Sequence, residues 1–186
     1  MSEAIHVLGI AGSLRKGSYN RAALRAASEV LPEGMTLEIY DLSPLPFYNA
    51  DIASQGFPEP VQWFRDRIAA ADALLIATPE YNFSIPGVLK NALDWASRSP
   101  QSPLPEKPVA VMGATTGNFG TVRAQSHLQQ VFLHNNMFLL NKPHVFIARA
   151  AEKFDATGKL LDETTRSIIK DQLVALAAWT RRLKKD

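Results

Sequence analysis

The residues that could do chemistry gather in three polar stretches, each following an apolar run. The first is Gly12-Ser13-Leu14-Arg15-Lys16-Gly17-Ser18-Tyr19-Asn20. Ser13, Ser18 and Asn20 can donate to phosphate oxygens, and Arg15 can add charge-assisted contacts. A helix opening at Asn20 would aim orphan N–H groups and the positive end of its dipole at the same place. Without a ligand, the stretch reads as a polar loop in which Ser18 or Asn20 caps the helix. Two common phosphate cradles are excluded by spacing. Gly17 stands five residues after Gly12, so G-x-G-x-x-G is absent, and Ser18-Tyr19 replaces the Lys-Ser/Thr of G-x-x-x-x-G-K-[ST]. The 186 residues contain no cysteine, which excludes thiolate chemistry, disulfides and Cys-ligated metal. What remains is an unreacted phosphate, one that belongs to a mononucleotide.

The second stretch is Thr78-Pro79-Glu80-Tyr81-Asn82-Phe83-Ser84-Ile85-Pro86-Gly87. Its prolines stiffen it, and Tyr81 and Phe83 offer aromatic surface to a flat ring. The alternative is a proline-defined turn whose aromatics fold back into the core. Asn91, Asp94 and Trp95, just downstream, are expected to pack or cap. The third stretch is Thr115-Thr116-Gly117-Asn118-Phe119-Gly120. Gly117 and Gly120 let the backbone approach a ligand closely, and N–H groups here could donate to a ring carbonyl and a ring nitrogen. A tight, ligand-free turn is the alternative. Arg123 and Gln125 could face this site or a partner subunit. The four histidines, His6, His127, His134 and His144, lack metal-ligand spacing and read as structural.

The elements that must position these stretches alternate. Apolar strands are expected over 6–11, 35–41, 72–78 and 109–114. A bent last strand is expected over 137–140 and 145–147, interrupted by Asn141-Lys142-Pro143. Helices are expected over 20–31, 60–71, 87–97, 121–136 and 164–184. Residues 42–58, with Pro44, Pro46 and Pro58, are expected to be a loop. Five strands and five helices in βα alternation favour one α/β domain over residues 1–186. Its architecture would be a three-layer sandwich, a five-stranded parallel sheet of order 2-1-3-4-5 with helices on both faces. The loops after strands one, three and four then share one carboxyl edge, where such sheets bind ligands. A phosphate cradle, an aromatic wall and a glycine-rich donor loop together suit flavin mononucleotide.

Hydrophobic residues make up 46% and charged residues 20%, as in ordinary globular proteins. The net charge is +2, and the basic tail at 181–185 reads as the solvated end of a last helix, so no nucleic-acid partner is expected. No apolar run approaches the roughly 20 residues that cross a bilayer, and no leader precedes the first strand; a cytoplasmic, membrane-free protein is expected.

The segments G-S-L-R-K-G-S-Y-N at 12–20, P-E-Y-N-F-S-I-P-G-V-L-K-N-A-L-D-W at 79–95 and G-A-T-T-G-N-F-G-T-V-R-A-Q at 113–125 resemble the NAD(P)H-dependent FMN reductase family, flavodoxin-like quinone, chromate and azo-dye reductases. The resemblance implies FMN as cofactor and NAD(P)H as reductant. Its phosphate would lie on Ser13, Arg15, Ser18 and Asn20, with Tyr19 beside them. The ribityl chain and ring would lie on Pro79, Glu80, Tyr81, Asn82 and Phe83, and the pyrimidine side on Thr115, Thr116, Gly117, Asn118 and Gly120. In the family the third loop often ends in Gly-Gly; here it ends Gly120-Thr121. The resemblance also implies ping-pong transfer to a small-molecule electron acceptor such as a quinone, an azo compound, a metal oxyanion or free flavin. It implies a homodimer or homotetramer, with Arg123 near the interface. No catalytic side chain is expected, because the cofactor carries the chemistry. The alternative is a flavodoxin-like electron carrier or regulatory protein without NAD(P)H turnover, which the positive net charge disfavours.

Overall fold

The computed structural model describes residues 4–184; residues 1–3 and 185–186, including the last lysine of the basic tail, lie outside the described residues. Among the described residues, six parallel strands form one sheet: β1 (Ile5–Ala11), β2 (Met35–Tyr40), β3 (Ala73–Ala77), β4 (Pro108–Ala114), β5 (Phe138–Leu139) and β6 (Val145–Ile147). The order is β2-β1-β3-β4-β5, with β6 also on β4. Among the described residues there are seven helices: α1 (Tyr19–Ser28), α2 (Ala50–Ser54), α3 (Glu59–Ala70), α4 (Gly87–Ala96), α5 (Val122–His134), α6 (Ala150–Lys153) and α7 (Glu163–Leu183). The architecture is the expected flavodoxin-like sandwich.

Period-two alternation sends each strand's side chains to two separate cores. Val7, Leu75 and Met112 meet α1 and α7 on one face. Leu8, Ile10, Leu74, Ile76 and Val109 meet α3, α4 and α5 on the other. The alanine stripe of α1, Ala22, Ala23, Ala26 and Ala27, is buried and lets that helix lie close to the sheet. Among the described residues, no helix is long and apolar enough to cross a membrane.

Two expectations need correction. The 42–58 segment is not all loop. It carries α2, a five-residue helix opened by Asn49, whose side chain accepts from the Asp51 N–H; no residue of α2 is buried, so no apolar stripe announces it. The last strand is not one bent strand but two. Phe138 and Leu139 pair with Pro108 and Val109, and Val145, Phe146 and Ile147 pair with Met112, Gly113 and Ala114. Pro143, which has no N–H to give a ladder, stands in the gap. There the Gln172 amide from α7 donates to the Val111 carbonyl at 2.9 Å and to the Pro143 carbonyl at 3.0 Å.

The carboxyl edge is braced from below. Asn20 Nδ2 donates to the Ala114 carbonyl at 2.9 Å, and the Ala114 N–H donates to Asn20 Oδ1 at 2.8 Å. A side chain thus imitates a ladder pair, tying the start of α1 to the end of β4. Gly113 is required one residue earlier, because a Cβ there would lie 1.8 Å from Thr121 Oγ1.

Asn20→Ala is expected to strand both buried Ala114 groups and cost about 2–3 kcal/mol. Urea unfolding would show it as a lower midpoint with an unchanged slope.

Candidate functional site

Loop one runs from Gly12 into α1. A Cβ on Gly12 would sit 3.1–3.2 Å from Pro86, Leu89 and Pro79, so this glycine is what allows loops one and two to close together. Among the described residues, no acceptor meets the backbone N–H groups of Ser13, Leu14, Arg15, Lys16 or Gly17, nor those of Tyr19 and Asn20 in the first helical turn. Ser18 is the N-cap, its Oγ accepting from the Arg21 N–H at 3.3 Å, which leaves its hydroxyl proton free to donate. The first turn of α1 has no acidic residue. Arg15 is exposed beside this cluster. Undischarged donors, a helix dipole and a guanidinium make a seat for an anion with several oxygens.

Two neighbours depart from the expected assignment. The Asn20 carboxamide is committed to Ala114, and the Tyr19 ring packs on Phe154 with centroids 5.5 Å apart. Both side chains hold α1 in place, and the backbone N–H groups of the two residues remain without acceptors beside the seat.

Loop two is a two-residue hairpin. Tyr81 and Ser84 exchange backbone hydrogen bonds of 3.0 and 2.9 Å around Asn82 (φ 50°) and Phe83 (φ 64°). Two left-handed residues make the type I′ turn. Asn tolerates that region; a Phe there costs on the order of 1–3 kcal/mol and persists only where its surroundings hold it. Tyr81 is 47% exposed and Phe83 66%, so the aromatics stand at the edge rather than in the core. Pro79 is buried against Gly12. Asn91 and Trp95, as expected, brace the scaffold: both donate to the Pro46 carbonyl, and Asn91 Oδ1 accepts from the Tyr48 N–H.

Loop three enters α5 through Thr121, which is fully buried and left-handed (φ 65°). The residue that replaces the second glycine therefore takes a glycine-like conformation. Its Oγ1 accepts from Gln125 Nε2 at 3.2 Å, and the same amide donates to the Val145 carbonyl. Gly120 is also left-handed and lies so near Phe146 that a Cβ would meet it at 2.6 Å. Thr116 and Asn118 are exposed.

Thr121 makes no side-chain cap for α5, and the cap comes from loop two instead. Glu80 Oε2 accepts from the N–H groups of Arg123 (3.0 Å) and Ala124 (3.2 Å), and Oε1 accepts from Arg123 Nε (2.6 Å) and is bridged by the guanidinium. The Glu80 side chain is only 9% exposed. Burial pushes its carboxyl up, but the Arg123 side chain and the two backbone N–H groups outweigh this and hold it below the ordinary glutamate range. The Arg123 guanidinium stands 3.8 Å from the Phe83 ring centre and 4.8 Å from that of Phe119. A second tie joins the same elements, Ser84 Oγ to His127 Nδ1 at 3.0 Å.

A cavity of about 340 Å³ opens above this clamp, lined by Glu80, Asn82, Phe83, Thr115, Gly117, Phe119, Thr121 and Arg123. Phe119 and Thr121 were not foreseen as site residues, and Arg123 proves to belong to the cavity. The visible hint was an unpaired acid in stretch two and an unpaired base just after stretch three. Among the described residues, no group of three or more His, Asp or Glu could hold a metal ion.

The chain is similar to known proteins over most of its length. The family model described as NADPH-dependent FMN reductase matches residues 5–152. The chain is 55% identical over 184 residues to the NAD(P)H-dependent FMN reductase of Pseudomonas aeruginosa, covering 99% of this chain and all of that one. It is 45% identical to the NAD(P)H:quinone oxidoreductase of Solanum tuberosum, covering 97% and 95%. Among solved structures it superposes on FerB, a flavoenzyme NAD(P)H:(acceptor) oxidoreductase of Paracoccus denitrificans, with a TM-score of 0.87, 34% identity and coverage of 96% and 98%.

A carboxyl whose folded pKa is lowered contributes stability that is complete above its unfolded pKa and is lost as pH falls through the folded value. Glu80→Gln is expected to cost about 2 kcal/mol at neutral pH. The gap to wild type should narrow as the pH drops below the glutamate range, read from urea unfolding at a series of pH values.

Proposed function

The chain belongs to the NADPH-dependent FMN reductase family, and from this we propose that it binds FMN along the edge formed by its three loops and reduces quinone-class acceptors with NAD(P)H. The observation that carries the reading is the run of N–H groups without acceptors at the start of α1, beside Ser13, Ser18 and Arg15. These groups suit a terminal phosphate dianion, and no first-turn carboxylate opposes it.

The other residues fit the rest of the cofactor in order. Pro79, Glu80, Tyr81, Asn82 and Phe83 form the wall along the ribityl chain and ring. Thr115, Thr116, Gly117, Asn118 and Gly120 supply the loop for the pyrimidine side, where close backbone approach is possible. Bound FMN would supply the redox chemistry, taking a hydride from NAD(P)H and a proton from solvent and passing two electrons and two protons to a quinone as quinol. The chain itself binds, orients and keeps the seat shallow. An open cavity flanked by exposed Tyr81, Phe83 and Phe119 suits donor and acceptor in alternation, which is ping-pong order. Azo compounds, metal oxyanions and free flavin fit the same undemanding opening. A second copy of the chain is a fitting cover for these rings.

Arg15→Ala combined with Ser18→Ala is expected to weaken FMN binding by about 10–100-fold, as loss of charge-assisted hydrogen bonds implies. Fluorescence titration of the apoprotein measures this, and riboflavin, which lacks the phosphate, should bind wild type and variant alike. Equal FMN affinity in both proteins would overturn the phosphate assignment.

A further inference from the structure

The charges of the cavity bear on more than cofactor retention. Of the residues lining it, Glu80 and Arg123 alone carry charge. A third field comes from the N-terminus of α5, whose first turn contains no acidic residue of its own. Glu80 meets both positive sources at once, touching the Arg123 guanidinium and the first N–H groups of the helix. A hydroxyl at the N-cap would have satisfied the helix without charge, but Thr121 is left-handed and makes no such bond. The carboxylate therefore does something that a neutral cap could not do: it cancels positive potential at the cavity wall.

That cancellation has a target. Adding two electrons and one proton to an oxidised flavin leaves the ring with one more negative charge. Positive potential nearby favours the reduced form, and negative potential favours the oxidised form. Building on the FMN reading above, we propose that Glu80 is a positioning residue that sets the reduction potential of bound FMN by masking Arg123 and the start of α5. The pair acts as a counterweight, with Glu80 holding the potential down and Arg123 holding it up. A clamp with a purely mechanical role has a different signature. Loosening it from either side slackens the same two loops, so both substitutions would move the site in the same direction.

The test is anaerobic redox titration of FMN-loaded wild type, Glu80→Gln, Arg123→Gln, the double variant and Arg123→Lys, with FMN affinity and thermal unfolding measured on each. Glu80→Gln is expected to favour reduced over oxidised FMN by about tenfold, a positive shift of about 30 mV for a two-electron couple. Arg123→Gln is expected to shift the potential negative by a similar amount. The double variant should return toward wild type, and Arg123→Lys should keep the wild-type potential even where its FMN affinity falls. Shifts of the same sign in the two single variants, or no shift in either, would overturn the inference while leaving FMN binding intact. A wild-type chain that retains no FMN would overturn the binding reading and this inference with it. If Glu80→Gln does not fold, the Arg123→Gln and Arg123→Lys pair still decides, because a neutral side chain must lower the potential and a cationic one must not.

Discussion

The first N–H groups of a helix lack acceptors within the helix, and at the start of α5 those of Arg123 and Ala124 draw on an acceptor from elsewhere in the chain. Glu80 supplies it from a loop more than 40 residues earlier in the chain, and Arg123 closes over the same carboxylate. The other features of the edge depend on that arrangement. The left-handed Phe83 is held where its ring meets the guanidinium, and the left-handed Thr121 can enter the helix without capping it. Two unfavourable local choices become tolerable because one buried carboxylate reconciles them.

The remaining contacts complete a triangle. Glu80 joins loop two to loop three, Asn20 joins loop one to the strand beneath loop three, and Gly12 lets loop one lie against the prolines of loop two. Below them the parallel sheet, covered on both faces, fixes where each strand ends. The result is preorganisation: the three loops hold one another in place without a ligand, so any ligand seated among them would spend little on ordering them.

Much of this was legible in the chain itself. The strands show because their apolar runs are unbroken, and α1 because its alanines recur at helical spacing. The three loops show because Gly, Pro, Ser and Asn interrupt those patterns. What stayed hidden has a common cause. Asn20 looks identical in sequence whether it donates to a ligand or to a carbonyl 94 positions away. Tyr19 gives no sign that its partner is Phe154, and Glu80 none that its partner is the start of another helix. Local pattern records which face of an element is apolar, but not which distant backbone group a polar side chain will satisfy. Helix α2 escaped for a different reason, since an element that buries nothing leaves no hydrophobic period to detect.

The interval between β5 and β6 has a consequence for how this fold tolerates change in length. At that point the hydrogen-bonding demand of β4 is met by Gln172, a side chain anchored on α7, rather than by the neighbouring strand. Beyond Leu140, whose N–H still donates to the Val109 carbonyl, the strand edge is therefore sealed by something other than the 141–144 segment. Extra residues inserted there would extend outward from a closed seam, at the slowly growing entropic cost of a longer loop and without unzipping a ladder. The sheet thus carries a built-in splice point on the side away from β2, where a lineage could acquire a new surface while the edge above β1 and β3 stays as it is.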